Sequence, residues 1–92
     1  MAAQVQHAVE RSRFELVENG QVVGVADYRR DGDTWVFPHT EIVPARRGSG
    51  LGAVLVQGAL DDVRPTGRKV VPVCWYVGEF MDTHSGYGDL AA

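Results

Sequence analysis

The segment that decides the fold is Val43-Pro44-Ala45-Arg46-Arg47-Gly48-Ser49-Gly50-Leu51-Gly52, in which glycine recurs at alternate positions. An extended run precedes it, and an amphipathic helical pattern follows it at once. The first N–H groups of a helix lack partners within the helix, and the helix dipole adds partial positive charge there. Glycine lets a ligand approach this backbone closely. The segment therefore predicts an anion-binding loop; the alternative is a turn that only redirects the chain.

Three extended stretches separated by tight turns come before this loop. Residues 13–18 and 21–29 flank Asn19-Gly20, which is the strongest short signal for a hairpin. A third stretch, residues 34–43, follows a second turn. Pro38 lacks an N–H donor, so it indicates a bulge, an edge or a break in that strand. Together these stretches predict an antiparallel meander.

The period of the apolar residues changes after the loop. From Gly52 to Val63 they recur at helical spacing, and Pro65-Thr66-Gly67 ends that helix. Residues 69–74 are typical of a buried strand, and residues 77–84 predict a short second helix. The order β-β-β-α-β-α predicts an α/β (α+β) domain with a strand–helix–strand crossover after the meander.

Length and composition favour a single globular domain. The chain has 92 residues, of which 45% are hydrophobic and 23% charged. Residues 1–11 show little periodicity and are expected to be a flexible N-terminal arm, which leaves residues 12–92 as the domain. Acidic residues outnumber basic ones and the net charge is −3, so we expect no nucleic-acid partner.

The single cysteine, Cys74, rules out an intramolecular disulfide, and the three histidines lack the spacing of a zinc site, so no metal is expected. No apolar run is long enough to span a membrane, and the N-terminus lacks the pattern of a signal peptide. These features predict a cytoplasmic protein without a membrane partner.

Two common nucleotide-binding loops do not fit the glycine-rich segment. No Lys-Ser/Thr pair follows the glycines, as a P-loop requires. A dinucleotide fingerprint would need a carboxylate at the end of the next strand, and Val73-Cys74-Trp75 has none. The remaining pattern, Arg47-Gly48-Ser49-Gly50-Leu51-Gly52, resembles the loop that binds the acyl-CoA pyrophosphate in the GNAT superfamily of N-acetyltransferases.

The resemblance runs from about Phe14 to Leu90. Residues 37–42, residues 72–74 and the segment 84–90 are similar to the small YjdJ-type branch, which contains minimal single-domain members. The chain departs from that branch at Trp75-Tyr76, where a proline–aromatic pair is usual, and at Gly86, where an acidic residue is usual. The resemblance implies a minimal GNAT-like fold and acetyl-CoA (coenzyme A) as the cofactor.

The resemblance also implies where the cofactor lies. Strands His39–Val43 and Lys69–Cys74 would be parallel neighbours that splay apart around the pantetheine arm, with the thioester near Glu41, Ile42 and Cys74. The implied binding residues are Ile42, Val43, Arg46, Arg47, Gly48, Ser49, Gly50, Leu51, Gly52, Cys74 and Tyr76.

Three residues are candidates for catalysis. Glu41 lies where the superfamily places a general base, and His39 shares its strand face; the alternatives are an exposed carboxylate and a structural histidine. Cys74 could accept the acyl group if His39 or a helix N-terminus activated its thiol, or it could be a small buried side chain. Tyr76 and Tyr87 could donate a proton to the leaving thiolate, or only pack.

These inferences predict an N-acetyltransferase with an unknown amine acceptor, acting as a monomer or a homodimer. A non-catalytic acyl-CoA sensor or partner-binding module is the alternative. The direct turns at residues 19–20 and 31–33 leave no room for helices on the acceptor side. An open acceptor face, suited to a peptide or protein or completed by a dimer partner, is therefore expected.

Overall fold

Five strands form one sheet in chain order, and two helices follow the meander. The computed structural model describes residues 3–92. The elements are β1 (Gln4–Ala8), β2 (Arg13–Glu18), β3 (Gln21–Asp31), β4 (Thr34–Ile42), α1 (Leu51–Val63), β5 (Lys69–Val71) and α2 (Trp75–Thr83), with short 3-10 turns at Val9–Arg11, Pro44–Arg46, Arg64–Thr66 and Gly88–Leu90. β1 to β4 pair antiparallel, and β4 pairs parallel with β5. The predicted meander and crossover are confirmed.

The N-terminal segment is an edge strand, where the sequence predicted a flexible arm over residues 1–11. In β1, the ring of His7 stacks on Phe14 with centroids 4.3 Å apart. The His7 Nε2 atom also lies 2.6 Å from the Tyr28 hydroxyl, within hydrogen-bond distance. The prediction of an arm was wrong for residues 4–8, because tertiary contacts hold a segment too short to show its own pattern. The first two residues lie outside the described part of the chain.

Both helices pack against the same face of the sheet. Phe14 and Leu16 of β2 and Ala26 of β3, which alternate with residues of the other face, join side chains of both helices in a single core. The helix residues of this core are Leu55, Val56, Ala59, Leu60 and Val63 from α1, and Val77, Phe80 and Met81 from α2. The opposite face of the sheet is covered by neither helix.

A bulge interrupts β4 at its proline. Arg29 pairs with Val36 and Asp27 pairs with His39, so β4 has one residue more than β3 in this interval. Pro38 lies in the extra length, where its missing N–H removes no regular ladder hydrogen bond. Of the three readings that the sequence left open for this proline, the bulge is confirmed.

β4 and β5 separate beyond a short paired region. Their parallel pairing ends at Val36 and Val71, and one more hydrogen bond follows, from the Cys74 N–H to the Phe37 carbonyl oxygen at 2.8 Å. Residues 39–42 of β4 then continue without a β5 partner. The implied splayed pair is therefore present, although the paired part precedes His39–Val43.

The second helix and the strand before it differ from their predicted bounds. β5 ends at Val71 rather than at Cys74, because Pro72 has no N–H to continue the ladder. α2 begins at Trp75 rather than at Val77, and Cys74, in an extended conformation, is its N-cap residue. These shifts place Cys74 at the start of a helix and beside the point where the two strands part.

Candidate active site

A groove runs along the edge of β4 that β5 leaves free, and its volume is about 570 Å³. It is lined by the end of β4, the glycine-rich loop and the starts of both helices. The lining residues are His39, Thr40, Glu41, Ile42, Arg46, Arg47, Gly48, Gly50, Leu51, Gly52 and Tyr76. Most of the predicted binding residues therefore meet in one groove, whereas Val43, Ser49 and Cys74 are not among its lining residues.

The backbone of the loop is held open by two glycines. Gly48 has φ +79° and Gly50 has φ +81°, which is the left-handed region that favours glycine. Gly50 is the N-cap of α1, and it supplies no side chain to bond the first N–H groups of the helix. A Cβ at either glycine would meet no atom within 4 Å. The space over the helix N-terminus is therefore free for an anion.

The third glycine of the loop has a different role. A Cβ at Gly52 would lie 2.8 Å from the Tyr76 hydroxyl, so glycine lets this tyrosine pack against the start of α1. Burial raises the pKa of Tyr76, and the Glu79 carboxylate raises it further. Tyr76 therefore stays protonated at neutral pH and presents a proton donor at the groove wall. Tyr87, the other candidate donor, instead gives its hydroxyl proton to Asp61 at 2.8 Å.

The two arginines of the loop are engaged differently. Arg46 donates two hydrogen bonds to the Glu18 carboxylate, at 2.8 and 2.9 Å. Arg47 donates from Nε to the backbone carbonyl of Ile42 at 2.9 Å. Within residues 3–92 no carboxylate forms an ion pair with Arg47. The Ser49 hydroxyl donates to the Arg46 carbonyl at 2.6 Å and tightens the loop. Arg47 is therefore the cation with uncompensated charge beside the groove.

His39 and Glu41 form a contact on one face of β4. The Nε2 atom of His39 lies 3.0 Å from Oε1 of Glu41, and each side chain is 53% exposed. Asp27 is the β3 partner of His39, so three titratable groups share this part of the helix-free face. In this geometry a carboxylate oxygen of Glu41 accepts a hydrogen bond from the Nε2–H group of His39. His39 and Glu41 therefore share one face of β4 and line the same groove.

Cys74 lies on the other side of β4, against Thr40. Burial by itself would raise the pKa of the Cys74 thiol. Hydrogen bonds from the Thr40 side chain and from the Val77 and Tyr76 backbone outweigh burial, so the pKa falls below its ordinary value of 9.0. The Thr40 side chain and the N–H groups at the start of α2 therefore favour the thiolate, and His39, which projects from the opposite face, does not contribute.

Two contributors to the site were not found from the sequence. Glu18 binds Arg46 across 28 residues of sequence, and no local pattern signals such a pair. Thr40 lies between His39 and Glu41, so strand alternation alone places its side chain on the face opposite theirs. Its hydroxyl oxygen is buried without a close hydrogen-bond partner, so the Cys74 thiolate is the acceptor toward which this hydroxyl can turn.

The described part of the chain has neither a cluster of metal-binding side chains nor a helix that could span a membrane. Residues 3–92 contain no group of three or more His, Cys, Asp and Glu side chains that could hold a metal ion. No helix in that range is long and apolar enough to cross a membrane. Besides backbone amides, the polar groups that line the groove are two guanidiniums, an imidazole, a carboxylate, a threonine hydroxyl and a phenol.

A sheet that opens beside a glycine-rich helix start defines a class of CoA-dependent acyltransferases, and the comparison with known families agrees. A family model described as GCN5-related N-acetyl-transferase matches residues 13–90. The chain belongs to this family.

Two relatives, both called Protein NATD1, support the assignment. That of Gallus gallus is 34% identical over 80 residues, which is 85% of this chain and 73% of the relative. That of Mus musculus is 33% identical over 79 residues, which is 84% of this chain and 72% of the relative.

Solved structures share the fold at low sequence identity. A GCN5-like protein from Staphylococcus aureus has a TM-score of 0.73 at 16% identity, over 97% of this chain and 87% of that one. A GNAT family acetyltransferase from Brucella melitensis, solved with acetyl-CoA, has a TM-score of 0.59 at 22% identity, over 74% of this chain and 50% of that one. The Escherichia coli ribosomal-protein-S18-alanine N-acetyltransferase has a TM-score of 0.59 at 22% identity, over 63% of this chain. This chain covers 38% of the length of that enzyme.

Proposed function

We propose that this protein transfers an acetyl group from acetyl-CoA to an amine. The observation that carries the proposal is the meeting, in one groove, of an uncapped helix N-terminus and a free strand edge. The first can take a pyrophosphate, and the second can pair with the amides of a pantetheine arm. Membership of the family supports acetyl transfer.

The residues of the loop fit the cofactor in charge and shape. Gly48 and Gly50 leave the N–H groups of the first turn of α1 open, and Arg47 adds an uncompensated positive charge. Each charge-assisted hydrogen bond to a phosphate oxygen is worth about 1.5–3 kcal/mol. In this structure, Arg47 donates a hydrogen bond to the Ile42 carbonyl oxygen. We propose that the Arg47 side chain turns toward the phosphates when the cofactor binds, which frees this strand edge for the pantetheine arm.

The transfer step needs a base and an acid on the two sides of the thioester. We propose that Glu41, with His39 beside it, removes a proton from the acceptor ammonium and so produces the neutral amine that attacks the thioester. The amine nitrogen then bonds to the acetyl carbon, the bond between that carbon and the CoA sulfur breaks, and the nitrogen loses its second proton to water. Tyr76 gives its proton to the departing thiolate and regains one from water. The products are an N-acetylated amine and CoA with a free thiol.

A covalent route is the second candidate, and the lowered pKa of Cys74 favours it. In this route the Cys74 thiolate takes the acetyl group and releases CoA, and the amine then displaces the cysteine sulfur. Mass spectrometry of the intact protein, mixed with acetyl-CoA and no amine, separates the routes. A gain of one acetyl group that Cys74→Ala abolishes supports the covalent route; an unmodified wild-type protein that still acetylates amines supports direct transfer.

The amine assay tests the proposed function itself. Purified protein is mixed with acetyl-CoA and a panel of primary amines, and the free CoA thiol and the acetylated amine are both quantified. Glu41→Gln should lower kcat about 10²- to 10⁴-fold without changing the Kd for CoA. Glu10→Gln, in the exposed turn after β1, is the matched control and should behave as wild type. Binding of CoA without any transfer would favour a non-catalytic acyl-CoA sensor. Gel filtration distinguishes a monomer from a homodimer.

A further inference from the structure

Two exposed apolar side chains stand at the point where β4 and β5 separate. Trp75 is 71% exposed and Val73 is 61% exposed, and Cys74 lies between them. The Cys74 N–H makes the last hydrogen bond across to β4, at the Phe37 carbonyl, so this pair marks the apex of the opening. Tryptophan is costly to leave in water and is enriched at binding hot spots.

The exposed tryptophan is continuous with the groove. The Trp75 ring lies 6.2 Å from the Tyr76 ring, centroid to centroid, and Tyr76 is a lining residue of the groove. An apolar group covering Trp75 can therefore belong to the same molecule that enters the groove beside Glu41. The described residues of this chain leave both side chains largely in solvent.

Negative charge accompanies this apolar surface. Glu79 lies one turn after Trp75 on the exposed side of α2, so the two side chains are neighbours at the i, i+4 spacing. Asp82 follows on the same exposed side, and the helix contains no lysine or arginine. Glu41 adds a carboxylate to the lining of the groove, so the charges of this region suit an acceptor that approaches as an ammonium ion.

We propose that the acceptor is an arylalkylamine, a primary amine joined by a short linker to an aromatic group that packs on Trp75 and Val73. The inference rests on the proposed function and names the acceptor class for the same groove. The ammonium group is attracted by Glu79 and Glu41, and the aromatic group removes the exposed apolar surface from water. An aliphatic diamine would use the carboxylates and leave Trp75 exposed.

Kinetics with two amines tests the acceptor class. Trp75→Ala should raise KM for phenethylamine about tenfold, with little change for ethylamine or in the Kd for CoA. Trp75→Phe should recover most of the loss. Val9→Ala removes an apolar side chain that is 62% exposed in a distant turn, and it should change neither KM. Equal KM values for wild type and Trp75→Ala with phenethylamine would overturn the proposal.

Binding of amines to the groove can be measured by fluorescence, and this tests the acceptor class even if the protein transfers no acetyl group. Trp35 is only 4% exposed, so quenching of tryptophan fluorescence by acrylamide reports mainly on Trp75. With CoA present, phenethylamine should protect Trp75 from acrylamide, and ethylamine should not. Protection of Trp75 by phenethylamine without acetyl transfer would contradict the proposed function and would still support an aromatic binding site at Trp75. Unchanged quenching, or stronger protection by an aliphatic diamine, would overturn the acceptor class.

Discussion

The Glu18 carboxylate holds the Arg46 guanidinium through two hydrogen bonds, at 2.8 and 2.9 Å, and so ties the end of β2 to the anion-binding loop. Paired nitrogens on one carboxylate fix the direction of the arginine as well as its charge. Because Arg46 is neutralised in this way, it holds the loop in place, and Arg47 keeps the charge that can attract a phosphate.

Removing the charge of Glu18 should weaken cofactor binding. Glu18→Gln loses an ion pair worth about 1 kcal/mol, so the Kd for CoA should rise about fivefold, as measured by calorimetry. Asp89→Asn is the control, since Asp89 forms a comparable two-bond pair with Arg64 away from the groove. Tighter binding by Glu18→Gln would mean that Arg46 contacts phosphate once freed, and that the tether has no positioning role.

The thiol of Cys74 should titrate below its ordinary range because of its hydrogen bonds. The rate of alkylation by iodoacetamide, followed against pH, should have a midpoint below 9.0 in the wild type. Thr40→Val removes a hydrogen bond that favours the thiolate, so the midpoint should move to higher pH. His39→Gln should leave it unchanged, because His39 projects from the opposite face of β4. A shift with His39→Gln and none with Thr40→Val would contradict this geometry.

The edge strand β1 should be sensitive to a single methyl group on α1. A Cβ at Gly58 would lie 2.5 Å from Cγ2 of Val5, so Gly58→Ala should push β1 away and lower the free energy of unfolding by about 1–3 kcal/mol. Chemical denaturation measures this loss. Adding Val5→Ala should restore part of the stability, since the two substitutions share one contact.

A glycine in α2 supplies the control for that substitution. At Gly78 the nearest atom to an added Cβ is 3.8 Å away, so Gly78→Ala should stabilise the protein by about 1 kcal/mol through helix propensity. If Gly58→Ala and Gly78→Ala were equally stable, β1 would not pack on α1 as described.

The parts of the fold that sequence could predict are those with strong local signals. Asn19 and Gly20 both adopt positive φ, 52° and 77°, as the favoured two-residue hairpin turn requires. The helical period from Gly52 to Val63 predicted α1 to within one residue of its observed start. β1 was missed because its five residues are too few to show a clear pattern, so their pairing with β2 decides their structure.

The sequence predicted which residues form the site better than it predicted how those residues are placed. The start of α2 was placed too late because Trp75 and Tyr76 lie outside the apolar stripe formed by Val77, Phe80 and Met81. Because of that error, the sequence did not indicate that Cys74 lies at the N-terminus of a helix, where backbone N–H groups help to lower the pKa of its thiol. Contacts between distant segments, such as that of Glu18 with Arg46, depend on the completed fold.

Calorimetric titration of CoA into two glycine variants tests the proposed binding loop most directly. Gly50 and Gly67 both have left-handed backbones, with φ +81° and +73°, and open space around an added Cβ. Valine at either position therefore costs a similar backbone strain, on the order of 1–2 kcal/mol. The wild type and Gly67→Val should bind CoA with matching Kd values, and Gly50→Val should bind at least about tenfold more weakly. Equal affinity of Gly50→Val and Gly67→Val for CoA would contradict an anion-binding loop at the start of α1.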